Sequence, residues 1–403
     1  MLFTACGWLC ATATADDWPE FRGPSGQGVA TATALPLELN VDQAAWKCAI
    51  PGRGWSSPSV SHGRVFVTTA VESEDDKSLS LRLVCVSATS GELLFDKELF
   101  RHEAVKIHKK NSHASPTPIV RDGVVYAHFG PHGTAAVTVA GEPVWSNDQL
   151  NYSPVHGNGG SPILVEDLLI FSADGAANPE IVALSIHDGS VKWRTPRGTE
   201  AKKKFSFTTP LAIPAAGGAM LAISPGSDRL SAVDCRTGAE AWFVNYTGYS
   251  VIPRPVHGHG LVFFSTSYDS PQVMAVAVGG KGDVTDSHVR WTLDKGAPHT
   301  PSMILRGDEL YMVSDRGIAS CVDARTGELH WRERLGGNFS ASPTLAGDRI
   351  YFFSEEGKCS VVAADKQYKL LASSDLKEPT LASPAVLDRA LIVRTSEHLY
   401  RFE

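Results

Sequence analysis

The 403-residue sequence lacks several patterns on which common functional assignments rest. Its seven cysteines are scattered, with no C-x-x-C, C-x-x-C-H or adjacent pair, so zinc, thioredoxin-like and c-type haem sites lose their usual ligands. No G-x-S-x-G motif marks a nucleophilic serine. After Ala15, no apolar run approaches the length of roughly 18 residues that a membrane-spanning helix requires.

The sequence also lacks an excess of basic residues. Its formal net charge of −7 at pH 7 argues against a broad basic field that would hold nucleic acid or an anionic membrane. Hydrophobic residues make up 43% and charged residues 20% of the chain, which is typical of a globular protein. The 36 glycines and 24 prolines indicate many turns.

The first 15 residues predict a signal peptide over 1–15. They are apolar and rich in small side chains, and they end in Ala13-Thr14-Ala15, a small-x-small cleavage pattern. No Lys or Arg precedes Arg22, so the usual basic segment is missing, and a start codon assigned too far downstream would explain this. Cys6 offers a weaker lipoprotein acylation signal. Export to the periplasm or cell envelope is predicted, while cleavage, acylation and a misassigned start stay open.

A repeated phrase organises the rest of the chain. It occurs at residues 85–95, 232–242 and 321–331, with a more divergent copy at 183–193. Each copy indicates a strand, a tight turn whose glycine can adopt positive φ, and a second strand ending in a large aromatic residue. This aromatic residue recurs every 40 to 50 positions, at Trp46, Phe95, Trp145, Trp193, Trp242, Trp291 and Trp331.

A second mark is a proline that precedes an apolar strand. It occurs eight times, at Pro58, Pro116, Pro162, Pro210, Pro255, Pro301, Pro343 and Pro384. Intervals of this length are typical of propeller blades, and the short runs of Val, Ile, Phe and Tyr between the marks indicate strands. The sequence therefore predicts an all-β, eight-bladed β-propeller of four-stranded antiparallel blades.

The two ends of the chain predict how the ring closes. Trp46 precedes the first proline mark and has no earlier strands of its own, while residues 384–403 have room for about three strands. We expect a strand near Trp46 to complete the last blade, which leaves no open sheet edge at the seam. This gives one propeller domain over 44–403, preceded by an N-terminal extension over 16–43.

The phrase A-x-D-x-x-T-G-x-x-x-W, complete at 232–242, resembles the repeat of the pyrroloquinoline-quinone (PQQ) dehydrogenase propellers. It is also similar to the repeat of the outer-membrane assembly lipoprotein BamB and of many exported bacterial propellers. The resemblance covers about residues 44–403, and residues 18–24 resemble an N-terminal segment common in the exported group. The motif itself implies structure, because its Asp, Thr and Gly shape a hairpin and its Trp packs between blades.

The catalytic members of that family carry a vicinal Cys-Cys disulfide over the quinone and a calcium-binding set of acidic and Asn residues. The first is absent here, and the second cannot be placed on a matching motif. The resemblance therefore implies a non-catalytic binding or scaffold propeller with an envelope protein or glycan as partner. The alternative is a PQQ-dependent alcohol or sugar oxidoreductase with PQQ and calcium at the channel mouth. No cofactor is predicted, no nucleic-acid partner is expected, and the oligomeric state stays open.

Strand order places a candidate site. After each outer strand the chain must cross to the inner strand of the next blade, so these crossings share one face of the ring. The ligand-binding candidates expected there are Arg53, Trp55, Lys109, Asn111, His113, His156, Asn158, Lys204, Arg254, His299 and Asn338. Cationic and aromatic groups around one channel mouth suit an anionic or hydroxyl-rich ligand, although such groups also serve only to bind water and neighbouring backbone. No metal site is predicted, because the histidines come from separate blades without ligand spacing.

Overall fold

The computed structural model describes residues 17–73, 75, 77–266 and 268–403, so the predicted signal peptide over 1–15 lies outside the described residues. Eight four-stranded antiparallel blades form a ring, which confirms the predicted propeller. The strands are Ser59–Ser61, Arg64–Glu72, Ser78–Ser87 and Leu93–Glu103 in blade 1; Ile119–Arg121, Val124–His128, Thr134–Thr138 and Pro143–Asn147 in blade 2; Ile163–Val165, Leu168–Ala173, Glu180–Ser185 and Val191–Pro196 in blade 3; Leu211–Pro214, Met220–Gly226, Arg229–Asp234 and Glu240–Asn245 in blade 4; Val256–Gly258, Leu261–Ser265, Val273–Ala277 and Val289–Leu293 in blade 5; Ile304–Arg306, Glu309–Val313, Ile318–Asp323 and Leu329–Arg334 in blade 6; Thr344–Ala346, Arg349–Phe353, Lys358–Ala363 and Leu370–Asp375 in blade 7; and Ala385–Val386, Leu391–Arg394, His398–Phe402 and Trp46–Ala49 in blade 8.

Few other elements interrupt the blades. Short helices occur at Val41–Gln43, Gly130–His132, Ala216–Gly218 and Thr285–His288, and two added strands lie at Val29–Ala30 and Gly282–Asp283. Within the described part of the chain, no helix is long and apolar enough to cross a bilayer. The first strands of neighbouring blades contact one another, so they line the central channel and the fourth strands lie outermost.

The ring closes at blade 8 as the sequence predicts. The strand Trp46–Ala49 pairs antiparallel with His398–Phe402, with Trp46 opposite Arg401. The blade therefore takes its outer strand from the N-terminal part of the chain and its other three strands from the C-terminal end. Because every blade then has four strands, the seam leaves no gap through which another chain could pair.

Outer tryptophans join five of the eight blades to the next blade. The indole N–H of Trp46 donates to the carbonyl of Ala88 in blade 1 at 3.0 Å, and four other tryptophans make the equivalent bond to the following blade. The turn glycine of that blade lies against the same ring: a Cβ on Gly91 would come within 2.7 Å of the Trp46 ring. The glycine of the repeated phrase is therefore required for close contact as well as for its φ of +73°.

Three blades depart from this pattern, and in blade 1 the reason is that the aromatic position is occupied by Phe95, which has no N–H to donate. In blade 4 the Nε1 of Trp242 is buried and has no partner among the described residues, and the strand Gly282–Asp283, inserted in blade 5, pairs with the outer strand of blade 4. In blade 7 the aromatic position is occupied by Ala372, which lies opposite Val361. The proline mark is also two residues early in blades 2 and 6, where Pro118 and Met303 precede the first strands.

The N-terminal extension is built into the ring. Trp18 is buried and exchanges two backbone hydrogen bonds of 2.8 Å with Val60 in the first strand of blade 1. Further along, Val29–Ala30 pairs in parallel with the first strand of blade 7. Residues 17–30 therefore fill part of the channel, and residues 35–36 continue over blade 7, where their carbonyls accept hydrogen bonds from Arg349 and Tyr351. We refer to residues 17–30 as the plug.

The closing strand is also held by one carboxylate. Glu378, in the crossing from blade 7 to blade 8, accepts hydrogen bonds from Lys47, Thr395, His398 and Tyr400. Burial opposes ionisation of Glu378, but the bonds from Thr395, His398, Tyr400 and Lys47 outweigh it and lower its pKa to about 2. Glu397 lies close enough to complete a group of three possible metal ligands with Glu378 and His398, yet the Glu378 oxygens are already engaged.

We predict that Gly91→Ala destabilises the protein more than Gly123→Ala does. Both glycines have φ between +73° and +74°, but a Cβ at position 123 meets no atom within 4 Å, so this variant reports the backbone strain alone. Gly91→Ala should lower the free energy of unfolding by about 1 to 3 kcal/mol more than Gly123→Ala does, which is the usual penalty for forcing an atom into a packed contact. Urea unfolding measures both variants, and equal losses would contradict the stacked contact with Trp46.

We also predict that Glu378→Gln removes part of the acid sensitivity of folding. A carboxylate whose pKa falls on folding stabilises the protein above its unfolded pKa of 4.5, and this stabilisation disappears as the pH falls towards 2. The free energy of unfolding of the wild type should exceed that of the variant by about 2 kcal/mol at pH 6, and this difference should shrink below pH 4.5. Urea unfolding at a series of pH values measures this difference, and a difference that does not change with pH would contradict the stabilising role of the ionised Glu378.

Candidate functional site

A cavity of about 830 Å³ opens on the face where the chain crosses between blades. Every crossing contributes to its wall, and Tyr268 and Asp315 are added from loops between second and third strands. Phe21 of the plug also lines the cavity, so the channel narrows there to a floor. The strand order therefore places the cavity on the face that the sequence analysis selected.

A belt of hydroxyl groups encircles the base of this cavity. In seven of the eight blades the residue two positions before the first strand is a serine or threonine: Ser57, Thr117, Ser161, Thr209, Ser302, Ser342 and Ser383. The backbone N–H of Ser57 donates to the hydroxyl of Thr117 at 2.9 Å, and the same bond continues from blade to blade until Ser383 donates to Ser57 at 3.1 Å. All seven side chains line the cavity and are at most 5% exposed. We call these residues the hydroxyl belt.

Arg254 takes the eighth position and breaks the belt. Its N–H still donates to Ser302 at 2.9 Å, but it offers no hydroxyl to Thr209. Its guanidinium instead donates to the carbonyls of Pro210 and Phe21 and pairs with Glu20 at 3.1 Å. Burial raises the pKa of Glu20, and the nearby Arg254 acts in the opposite direction. Arg254 therefore anchors the plug.

An arc of aromatic rings runs along one side of the mouth. Ring centroids lie 5.6 Å apart from His108 to His156, 5.1 Å from His156 to Phe205 and 5.8 Å from Phe205 to Tyr249. The arc continues through Tyr268 to His299, with centroid separations of 6.2 and 5.6 Å. Neighbouring rings meet at steep angles, as edge-to-face pairs do. Burial lowers the pKa of His156, and the neighbouring His108 adds to this.

The charged groups of the lining are mostly cationic. Lys109, Lys110 and Lys203 line the cavity together with one carboxylate, Asp315. The Asp315 oxygens accept from the N–H of His299 at 2.7 Å and the hydroxyl of Thr300 at 2.6 Å, so this carboxylate fixes a crossing. Lys110 pairs with Glu355 of blade 7 at 2.7 Å, which ties residues 104–113 to a distant part of the rim.

Five of the eleven predicted candidates line the cavity: Trp55, Lys109, Asn111, His156 and His299. Asn111 holds the crossing loops together, since its amide donates to the carbonyl of His156 at 2.9 Å. Arg53 lies behind the wall and donates to the carbonyl of Lys109. These positions are consistent with a common mouth, although they do not test binding.

The other five candidates, His113, Asn158, Lys204, Arg254 and Asn338, do not line the cavity. His113 is 7% exposed and packs beside His132, and burial lowers its pKa. Asn158 accepts from the hydroxyl of Tyr152, and Asn338 donates to Glu356. Lys204 does not line the cavity, whereas the neighbouring Lys203 does. Side-chain direction within an irregular crossing is not encoded by a short-range period, so the sequence does not show which of these side chains reach the cavity.

Several lining residues escaped the sequence analysis. Phe205, Tyr249 and Tyr268 of the arc were not among the candidates, nor were Phe21 and the hydroxyl belt. The belt did leave a signal in the sequence, because its serine or threonine directly precedes the proline mark in five of the eight blades and directly follows it at Thr117 and Ser302. The aromatic residues of the arc have no such sequence signal, because their neighbours in space come from different blades.

Comparison with known proteins identifies the family. The family model described as outer membrane protein assembly factor BamB matches residues 36–281 and 281–400. The chain belongs to this family of PQQ-repeat propellers. No protein among the curated sequences matches the chain.

Solved structures share the family's fold at low identity. BamB from Moraxella catarrhalis is 14% identical over 90% of this chain and 97% of its own, with a TM-score of 0.60. The quinohemoprotein alcohol dehydrogenase from Comamonas testosteroni is 12% identical over 97% of this chain and 81% of its own, with a TM-score of 0.69. The computationally designed protein Ika8 is 10% identical over 88% of this chain and 99% of its own, with a TM-score of 0.59. These likenesses establish the fold.

The cavity residues do not fit PQQ with calcium. Calcium requires several oxygen ligands. Among the described residues, Asp315 is the only acidic group of the lining, and its carboxylate is already bonded within its crossing. The cysteines among the described residues, Cys48, Cys85, Cys235, Cys321 and Cys359, are free and lie outside the cavity lining. Cys85 and Cys321 are buried within their blades, and burial raises the pKa of each to about 12, as expected for small core residues.

We predict that Arg254→Ala destabilises the protein by about 3 to 5 kcal/mol, because it leaves the buried Glu20 carboxylate and two carbonyls without their partner. His299→Ala should cost under about 1 kcal/mol, since this side chain is partly exposed at the cavity wall. Chemical denaturation measures both variants. If both variants lose a similarly small amount of unfolding free energy, Arg254 does not anchor the plug.

Proposed function

We propose that this protein is an exported, non-catalytic binding propeller of the periplasm or cell envelope, and that the cavity on the crossing face holds its ligand. The observation that carries the proposal is a funnel closed at its base by Phe21 and walled by aromatic rings, lysines and hydroxyl groups. Pockets of roughly 300 to 1,000 Å³ with an apolar lining and a few convergent polar groups are typical ligand sites.

The family supports the place and the mode of action. Its model is named for an outer membrane assembly factor, and a BamB structure is among the neighbours of this chain. The predicted signal peptide over 1–15 agrees with an envelope location. The partner would be an envelope glycan or protein that reaches into the open mouth. Lipoprotein anchoring through Cys6 belongs to the same proposal as a secondary possibility.

The test compares a cavity variant with a matched surface variant. Lys110→Ala with Tyr268→Ala alters the cavity lining, whereas Lys366→Ala with Leu370→Ala alters an exposed lysine and an exposed apolar residue on the outer side of blade 7. Purified wild type and both double variants are immobilised, and polysaccharide and protein fractions of an envelope extract are passed over them. We expect at least one component to bind the wild type and the surface variant and to lose at least about tenfold in retention on the cavity variant.

Equal retention of every component on all three proteins would refute a ligand site in the cavity. A separate measurement addresses the oxidoreductase alternative: the absorption spectrum is recorded before and after addition of PQQ and calcium. We expect no stoichiometric spectral change and no dye-linked oxidation of alcohols or sugars. Their appearance would overturn the non-catalytic proposal.

A further inference from the structure

The hydroxyl belt has an unused hydrogen-bonding capacity. Each of its seven oxygens accepts a backbone N–H from the preceding ring position, so its own O–H hydrogen is left to donate. Among the described residues, none of these seven O–H groups has an acceptor in the protein. Because the belt surrounds the channel axis and lines the cavity, seven donors face the same small volume.

The surroundings of the belt carry an excess of buried positive charge. Arg22 donates to the carbonyl of Met303, next to Ser302, and its Nε and Nη1 have no partner among the described residues. Arg394 donates to the backbone and hydroxyl of Ser56, next to Ser57. With Arg254 this makes three buried guanidinium groups near the belt, against the two carboxylates of Glu20 and Asp315. Their field at the cavity base favours an anion.

We infer that the base of the cavity binds a single anionic group, and that the ligand is an acidic saccharide whose sugar rings lie against the aromatic arc. This inference rests on the proposed function and assigns a chemical class to its ligand. Converging O–H donors in a site shielded from bulk water suit a carboxylate or a sulfate, which offers only acceptors. Lys203 adds a cation at the rim, where its Nζ lies 3.8 Å from the centre of the Tyr249 ring.

The mixed lining favours a saccharide over an apolar acid. Besides the belt, the lining includes two polar atoms with no partner among the described residues, the Nε1 of Trp55 and the Nδ1 of His299. The hydroxyl groups of Thr300 and Ser340 each donate within the protein, but their oxygens can still accept a hydrogen bond. An apolar ligand would remove these groups from water without replacing their hydrogen bonds, which costs free energy for each one. A sugar offers C–H faces to aromatic rings and hydroxyl groups to the polar side chains between them. The cavity volume is sufficient for a short oligosaccharide.

The experiment titrates four probes into the purified protein by isothermal calorimetry at low salt. The probes are trigalacturonate, neutral maltotriose, sodium sulfate alone and a tripeptide with a free C-terminal carboxylate. We expect trigalacturonate to bind at least about tenfold more tightly than each of the others, and this preference to shrink as salt is added. Equal binding of maltotriose would refute the anionic group, and tighter binding of the tripeptide would refute the saccharide.

Two pairs of variants locate the binding. Ser57→Ala removes a belt hydroxyl, whereas Ser59→Ala removes a buried hydroxyl of the same blade that donates to the carbonyl of Pro118 outside the lining. Lys203→Gln removes a lining charge, and Lys202→Gln removes the adjacent exposed charge outside the lining. We expect Ser57→Ala and Lys203→Gln each to weaken trigalacturonate binding by about three- to tenfold. The two control variants should bind as the wild type does, and thermal unfolding checks that all four remain folded.

The outcomes separate this inference from the proposed function. If no probe binds, or if belt and control variants bind alike, the acidic saccharide is refuted, while cavity-dependent retention of another envelope component would still support a binding propeller. If Ser57→Ala does not fold, Lys203→Gln against Lys202→Gln decides the question, because both positions lie on a crossing loop at the surface. In that case, loss of trigalacturonate binding in Lys203→Gln but not in Lys202→Gln supports the inference.

Discussion

Seven of the eight blades hold the next blade through a hydrogen bond near the axis, and five of these seven add a second bond at the periphery; the ring depends on this repeated contact. Near the axis, a backbone N–H donates to a hydroxyl of the next blade; at the periphery, an indole N–H donates to a carbonyl of the next blade. Both bonds run in the same direction around the ring. Since Trp46 belongs to the closing strand, the outer contact also crosses the seam between the two ends of the chain.

Two of the interruptions in this contact coincide with additional structure. Arg254 replaces a belt hydroxyl, and its side chain holds the plug. Trp242 lacks its carbonyl partner among the described residues, and an inserted strand covers that blade edge. In each case the broken bond frees a surface that the added segment then covers. The ring therefore tolerates local exceptions because the remaining contacts stay in register.

The sequence predicts the ring well and the site only in part, for one physical reason. Blade number, strand order and closure depend on local signals, such as the turn Gly91 and the outer Trp46, which repeat with the blade. The cavity depends on crossings without a period, so the direction of each side chain is set by neighbours from other blades. Lys204 and Lys203 illustrate this, because adjacent positions of one loop differ in whether they reach the cavity. The plug escapes prediction for the same reason: Phe21 reaches the floor because Trp18 pairs with Val60 and Arg254 binds the Phe21 carbonyl.

The structural role of the hydroxyl belt does not compete with a binding role. A serine hydroxyl has two acceptor sites and one donor hydrogen, and the contact between blades uses only an acceptor site. An anion uses only the donor, so both interactions can be satisfied at once by the same oxygen. Ligand binding at the base therefore requires no break in the contacts that hold the ring together. Selectivity for one ligand would then come from the crossings above the belt, where residues such as Tyr268 and Lys203 can change without disturbing the blades.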